Sequence, residues 1–327
     1  MKLSEMKSIG RLAMACIVLW SPALRAETPA AKDAGGAPAA VKKESTTRPK
    51  SLPAGATMEA DLKYGSVPGR GQLLDLYLPA KIDKPLPLIV WIHGGGWSGG
   101  DKGNPPGLAM LSRGYAVASL NYRLTKEAIY PAQIHDCKGA IRWLRAHAEQ
   151  YHLDPKHIGV WGASAGGHLV ALIGTSGEVG ELEGDVGGNL DQSSRVQCVV
   201  DWFGPTDMSV FFDQAAAGPN IFKAKPDHSP LSDLFGGPLK EHLNLVRLGN
   251  PITFVKKDNP PFLIVHGDQD TLVPLAQSQI LFDALKKAEV DVHLEVLEGA
   301  GHGNGFDKQS LREMMASFFD KHLKPAK

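Results

Sequence analysis

The sequence predicts an α/β fold in which helices flank a mostly parallel sheet of eight strands. From residue 57 onward, short apolar segments alternate with segments that have the periodicity of amphipathic helices. Several of the apolar segments are almost continuously hydrophobic, which is typical of strands covered on both faces. Glycine-rich turns that carry Ser, Asp or His follow several of these strands, at the edge where parallel sheets form their sites.

Eight segments have the composition of β-strands. The first two, 58–64 and 72–78, are separated by a turn that contains Pro68, Gly69 and Gly71. The other six are predominantly apolar, and they span 86–93, 115–120, 157–161, 196–202, 261–266 and 291–296. This series predicts two opening strands followed by the strands of a parallel sheet.

Two segments show clear helical spacing. Apolar residues recur every three or four positions after Pro131 and again between residues 311 and 319. Between about 207 and 250 the alternation stops, no strand is evident, and Gly and Pro are frequent. This stretch also carries the large apolar residues Phe211, Phe212, Phe222, Leu231, Leu234 and Phe235. We therefore expect a packed insertion that covers the top of the sheet, rather than a disordered loop.

The N-terminal residues predict export of the protein. Residues 1–26 combine Lys2, Lys7 and Arg11 with a short apolar run and a small residue at Ala26, as in a secretory signal peptide. The alternative is an uncleaved anchor, although the run is short for a membrane span. Residues 27–56 predict a disordered linker, because they contain few apolar residues. The catalytic domain would then be 57–327, in a secreted or periplasmic protein.

The charge balance gives no support for binding nucleic acid. The 327 residues include 35 Lys and Arg and 35 Asp and Glu. Loss of residues 1–26 would leave 31 basic against 34 acidic residues, whereas a protein that binds duplex DNA usually carries a basic face. Cys137 and Cys198 would remain, either as a disulfide or as two separate buried thiols.

The nucleophile is predicted in Gly162-Ala-Ser-Ala-Gly166, which follows a strand and begins a helix. In that context the pentapeptide indicates a nucleophile elbow, in which Ser164 lies on a tight turn between small neighbours. The alternative is a glycine-rich turn in which the serine merely caps the helix. A serine hydroxyl needs a base, and the base needs an acid that orients it.

The acid and the base are expected after the serine, in that order. His302 lies between glycines after the last strand and is the predicted base. Asp270 and Asp268 share one loop after another strand, so both are candidates for the acid. His93, His168 and His266 adjoin other motifs, and we expect them to make structural hydrogen bonds.

The oxyanion hole is predicted in His93-Gly-Gly-Gly-Trp97, after the third strand. Bare glycines let the backbone approach a substrate and direct N–H groups at the developing charge. We assign Gly95 and Gly96 as donors, together with the N–H of Ala165. No Lys-Ser/Thr pair follows these glycines, which excludes a phosphate-binding loop. The sequence also lacks the His-Glu-x-x-His spacing of a metal site, so no metal ligands are predicted. The predicted chemistry needs no cofactor.

These motifs resemble those of the α/β-hydrolase serine esterases, and especially the branch related to bifunctional feruloyl and acetyl-xylan esterases. The resemblance extends over about residues 60–322 and includes 93–102, 121–124, 161–168, 201–207, 261–270 and 299–302. It implies the α/β-hydrolase fold with a small cap, and it favours Asp270 over Asp268 as the acid. It also implies that Trp97, Tyr122 and Trp202 lie near the substrate pocket, the alternative being ordinary aromatic packing.

The resemblance further implies hydrolysis of carboxylic esters with small or aromatic acyl groups, such as acetyl or feruloyl groups on plant polysaccharide. The substrate would be a small-molecule or polysaccharide ester. An amide hydrolase related to arylformamidases or peptidases is the first alternative. A catalytically inactive α/β-hydrolase that serves only for binding is the second.

Overall fold

A sheet of eight strands forms the centre of the fold. The computed structural model describes residues 48–67, 72–218, 221 and 226–324, and within them the strand order is β1-β2-β4-β3-β5-β6-β7-β8. The strands are β1 (Thr57–Lys63), β2 (Leu73–Leu78), β3 (Leu86–Ile92), β4 (Ala116–Leu120), β5 (Leu153–Ala163), β6 (Cys198–Trp202), β7 (Phe262–Gly267) and β8 (Val292–Leu297). β1 and β2 pair antiparallel, as do β2 and β4, and every other pairing is parallel. The predicted fold class is confirmed.

Helices cover both faces of this sheet. They are α1 (Ala132–Ala146), α2 (Ala165–Thr175), α3 (Gly180–Glu183), α4 (Phe211–Ala216), α5 (Pro230–Phe235), α6 (Leu243–Gly249), α7 (Leu275–Lys287) and α8 (Gln309–Leu323). Apolar residues of α1, α2 and α7 belong to one core cluster. Those of α8 and of a 3₁₀ segment at Pro106–Arg113 belong to a second cluster.

The side chains of β3 show why two cores form. Leu88 and Val90 belong to the first cluster, whereas Ile89 and Trp91 belong to the second. Successive side chains of a strand point to opposite faces of the sheet, so a continuously apolar strand supplies both cores.

The insertion between β6 and β7 is packed and helical. It contains α4, α5 and α6 together with 3₁₀ turns at Pro226–His228, Leu239–Glu241 and Pro251–Phe254. Phe211, Leu231, Leu234 and Phe235 are buried and join the first core cluster, as their apolar character predicted. Phe222 lies outside the described residues.

The predicted signal peptide at 1–26 and most of the predicted linker also lie outside the described residues. Residues 48–56 are described, and Leu52 and Ala56 pack against the second core cluster. This end of the predicted linker therefore contacts the domain, which its composition did not predict. In the described part of the chain, no helix is long and apolar enough to cross a membrane.

Cys137 and Cys198 are two separate buried thiols, which was one of the two alternatives that the sequence left open. Burial raises the pKa of both thiols well above the ordinary value. They behave as small apolar residues of the core.

Candidate active site

Ser164 occupies a sharp turn between the end of β5 and the start of α2. Its backbone has φ 57° and ψ −119°, a conformation that L-residues rarely adopt. A Cβ at Gly162 would lie 2.3 Å from the carbonyl oxygen of Gly166, and a Cβ at Gly166 would lie 2.0 Å from that of Ile92. The turn therefore requires glycine on both sides of the serine. The N–H of Ser164 donates to the carbonyl of Trp202 over 2.8 Å, which fixes the turn to β6.

Ser164, His302 and Asp270 form one chain of hydrogen bonds. The Oγ of Ser164 lies 2.9 Å from Nε2 of His302, and Nδ1 of His302 lies 2.7 Å from Oδ2 of Asp270. Because a carboxylate only accepts, Nδ1 carries a proton and Nε2 is left to accept from the serine hydroxyl. The sequence predicted these three residues, and the structure brings them together.

Asp270 is held at several points after the end of β7. Its Oδ1 accepts the N–H groups of Leu272 at 2.7 Å and Val273 at 2.9 Å. Its Oδ2 also lies 3.3 Å from Nε2 of His266. Burial by itself raises the pKa of Asp270, but hydrogen bonds from His266, His302 and the backbone outweigh burial and lower the pKa below its ordinary value. Asp270 is therefore ionised at neutral pH.

The other candidate for the acid, Asp268, is exposed and has different partners. Its Oδ1 accepts the N–H of Gly299 at 2.8 Å and the side-chain amide of Gln269 at 3.2 Å. These contacts join two loops, and His302 bonds to Asp270 instead.

The three predicted oxyanion donors surround Ser164. Gly95 and Gly96 follow β3 with φ 108° and 58°, and Ala165 is the first residue of α2. Within the described ranges, none of the N–H groups of these residues donates to a protein acceptor. All three residues line the same cavity as Ser164. The start of α2 adds positive potential at this point.

The cavity above Ser164 has a volume of about 470 Å³ and mostly apolar walls. The insertion supplies part of its wall, through Phe211 and the segment 229–231. Its lining residues are Gly94, Gly95, Gly96, Trp97, Ser98, Ala163, Ser164, Ala165, Phe203, Pro205, Phe211, Ser229, Pro230, Leu231, Leu272, Val273 and His302. This volume accommodates a small or medium-sized acyl group.

Of the three aromatic residues that the resemblance assigned to the pocket, only Trp97 lines it. Tyr122 is fully buried, donates its hydroxyl to the carbonyl of His93 at 3.1 Å and stacks on the His93 ring. Trp202 lines a separate cavity between α8 and the 106–113 segment. Tyr122 and Trp202 therefore do not line the cavity to which the resemblance assigned them, since the Tyr122 ring packs on His93 and the Trp202 ring packs against Trp161 and Phe306.

The remaining histidines make structural hydrogen bonds, as expected. His93 Nδ1 is 2.7 Å from the carbonyl of Gly94. His168 is fully buried, and burial lowers its pKa to about 4. His266 contacts Ser278 through Nδ1 and the carbonyl of Val273 through Nε2, in addition to Asp270.

Several lining residues were not predicted. Leu272 and Val273 lie two and three residues after Asp270, and Phe203 directly follows β6, so their positions near motifs were the available signal. Among the described residues, no group of His, Cys, Asp and Glu could hold a metal ion. The arrangement provides a hydroxyl, an imidazole whose Nε2 accepts from that hydroxyl, and unpaired N–H groups, which are the parts required for acyl transfer.

Comparison with known proteins gives consistent matches. The BD-FAE family model matches residues 74–285. Esterase LipC of Mycobacterium tuberculosis is 30% identical over 251 residues, which are 73% of this chain and 58% of LipC. The chain thus spans little more than half the length of this curated relative.

Solved structures match over a larger share of their own length. A truncated form of a carbohydrate esterase from gut microbiota is 35% identical, with a TM-score of 0.74 over 85% of this chain and 97% of that one. An acetyl ester-xyloside bifunctional hydrolase from Caldicellulosiruptor lactoaceticus is 26% identical, with a TM-score of 0.65 over 83% and 97%.

Proposed function

Because the chain belongs to the BD-FAE family of α/β-hydrolases, we propose that it is a serine carboxylesterase that forms an acyl-enzyme. The observation that carries this proposal is the hydrogen-bonded chain from Ser164 through His302 to Asp270, beside unpaired N–H groups and at the base of an apolar cavity. A scaffold that only binds a ligand has no need of this alignment.

In the first half of the reaction, His302 Nε2 takes the proton of Ser164 as Oγ attacks the ester carbonyl. Asp270 stabilises the imidazolium that forms, and its lowered pKa keeps it ionised for this role. The N–H groups of Gly95, Gly96 and Ala165 donate to the oxyanion. His302 then protonates the leaving alcohol, and an acyl-enzyme remains on Ser164.

In the second half, water replaces the alcohol. His302 removes a proton from the water as the water attacks the acyl carbonyl, and the same N–H groups hold the second oxyanion. Collapse of this intermediate releases the acid and returns the proton to Ser164. The proton transfers follow the hydrogen bonds that join Ser164, His302 and Asp270.

For the substrate, we propose an ester of a small or aromatic acid, with acetyl or feruloyl groups on plant polysaccharide as the leading candidates. The cavity volume of about 470 Å³ and its apolar wall suit such acyl groups. The names of the two structural neighbours, a carbohydrate esterase and an acetyl ester-xyloside hydrolase, support a carbohydrate as the alcohol. A secreted or periplasmic location, which residues 1–26 predict, would give access to such substrates.

The test is the hydrolysis of p-nitrophenyl acetate, butyrate and octanoate and of methyl ferulate by the wild type and by Ser164→Ala. We expect the substitution to reduce activity on every ester by about 10⁴-fold or more. Ser98→Ala is the matched control, because Ser98 also lines the cavity but, among the described residues, its hydroxyl hydrogen-bonds only to the carbonyl of Gly95, at 3.4 Å. It should retain activity close to that of the wild type.

The acyl profile then defines the pocket. Activity on acetate alone indicates a small acyl site, and activity on methyl ferulate indicates an aromatic one. If the wild type cleaves none of the esters faster than Ser164→Ala, the esterase proposal is wrong. Anilides with the same acyl groups and an organophosphonate probe then separate an amide hydrolase from an inactive binding protein.

A further inference from the structure

Phe203 combines a strained backbone with a buried aromatic ring. Its φ is 43°, in the left-handed region that bulky residues avoid, and only 4% of the residue is exposed. Trp97 and Ser164 also have positive φ and line the same cavity. Such backbone strain persists only where the surrounding structure enforces it, and it concentrates at functional sites.

The turn that contains Phe203 is fixed to the site from two sides. The N–H of Phe203 donates to the carbonyl of Val265 at 2.9 Å. Asp201, near the end of β6, accepts the N–H of Gly204 at 2.9 Å through its Oδ1. A Cβ at Gly204 would lie 2.4 Å from the backbone of Gly167, so this turn packs directly on the first turn of α2. The backbone of Phe203 is therefore held in place independently of its ring.

The ring of Phe203 packs against the predicted base. Its centroid lies 4.5 Å from that of His302 and 6.3 Å from that of His266. These are the two imidazoles that contact Oδ2 of Asp270. On its other side, the ring makes an edge contact with Phe306, with 4.8 Å between centroids.

His302 needs such a contact because the backbone of its loop is only weakly restricted by its own sequence. Gly301 and Gly303 flank it, Gly303 has φ 83°, and glycine restricts the backbone less than any other residue. The bonds to Ser164 and Asp270 act at the edge of the imidazole, so they resist displacement in the ring plane more than tilting of the ring. A rigid ring packed on the imidazole opposes that tilt.

We propose that Phe203 is a positioning residue that holds the His302 imidazole in line with Ser164. Glycine would adopt a φ of 43° without strain, but it would supply no ring. The sequence instead places a phenylalanine at this strained position. This inference rests on the proposed esterase function, because it concerns the base of that reaction.

The test compares Phe203→Leu with Phe306→Leu. Both substitutions remove a buried ring of the same aromatic group, but the ring of Phe306 does not contact His302 and lines the other cavity. Values of kcat and KM are measured on p-nitrophenyl acetate, butyrate and octanoate, and stability is measured by urea unfolding. Phe203→Met is made in parallel, so that the result does not depend on the folding of one variant.

We expect Phe203→Leu and Phe203→Met to lower kcat by about 10- to 100-fold, by the same factor on every ester and with little change in KM. Phe306→Leu should lose similar stability but keep kcat within about threefold of the wild type. Conservative core changes of this size usually leave the fold intact.

Two results would overturn the inference. One is equal kcat for the Phe203 and Phe306 variants, which would make the ring only a structural element. The other is a loss that depends on acyl length and falls mainly on KM, which would make Phe203 a wall of the acyl pocket. Failure of the proposed function is a separate outcome, because the wild type itself would then cleave none of these esters.

Discussion

The indole N–H of Trp97 donates to Nδ1 of His168 over 3.2 Å, and Nε2 of His168 lies 2.7 Å from the carbonyl of Gly249. Because an indole nitrogen only donates, Nδ1 must accept, and the proton of the neutral imidazole lies on Nε2. His168 on α2 therefore joins the loop that carries Gly95 and Gly96 to the end of α6 in the insertion. A single buried side chain connects the nucleophile helix, the predicted oxyanion loop and the cap.

Substitution of Asp270 and Asp268 tests which carboxylate orients the base. Asp270→Asn should lower kcat by about 10³- to 10⁴-fold, because an amide that donates to His302 Nδ1 favours the wrong tautomer for accepting the serine proton. Asp268→Asn should leave kcat within a few-fold of the wild type, since Asp268 only joins two exposed loops. The measurement is kcat and KM on p-nitrophenyl acetate. A larger loss for Asp268→Asn would transfer the role to Asp268.

Substitution of glycines in one loop tests the oxyanion donors. A Cβ at Gly95 would lie 2.5 Å from the carbonyl oxygen of Gly99, and φ there is 108°, so Gly95→Ala must displace the loop. We expect kcat to fall by about 10²- to 10³-fold, as for the loss of one oxyanion donor. Gly99→Ala is the control, because its Cβ would come no closer than 3.8 Å to its neighbours. Equal activity of the two variants would show that catalysis does not depend on the conformation of the loop at Gly95.

The sequence predicted the framework of the fold and the residues of the hydrogen-bonded chain. The central strands β3, β4, β6 and β7 were visible because strands that are buried on both faces are largely apolar. The largest difference from the predicted bounds is that β5 is longer, from Leu153 to Ala163. Ser164, Asp270 and His302 were found because each lies in a turn after a predicted strand, and because they follow the chain order of serine, acid and histidine that is typical of this chemistry. At these three positions, the local sequence pattern and the residue types required for acyl transfer led to the same assignment.

The orientation of aromatic side chains could not be predicted in the same way. Trp202 and Phe203 are adjacent, yet one lines the cavity beside α8 and the other lines the cavity above Ser164. β6 ends at Trp202, and the φ of Phe203 is 43°, so the alternation of side chains along a strand does not predict where the Phe203 ring lies. The φ of Phe203 depends on the close approach of Gly204 to Gly167, a contact between distant segments that the local sequence does not encode.

The last prediction concerns the stability contributed by His168. Its folded pKa of about 4 is lower than its ordinary value of 6.5, because burial disfavours the charged form. The unfolded chain therefore binds more protons between these values, and the free energy of unfolding falls as the pH decreases from about 6.5 to 4. The contribution is fully present above pH 6.5, and its loss is on the order of 3 kcal/mol.

His168→Gln isolates this contribution, because an amide can donate and accept but does not titrate. We expect the variant to be less stable than the wild type at pH 8, and the difference to shrink as the pH falls to 4. Burial raises the pKa of Asp201 to about 6, so Asp201 makes the free energy of unfolding rise as the pH falls, opposite to the effect of His168. Only the difference in stability between the wild type and His168→Gln is therefore informative. Urea unfolding at half-unit intervals of pH provides the measurement, and His293→Gln, at an exposed histidine, is the control. A difference that stays constant from pH 8 to pH 4 would show that His168 is not held neutral by the fold.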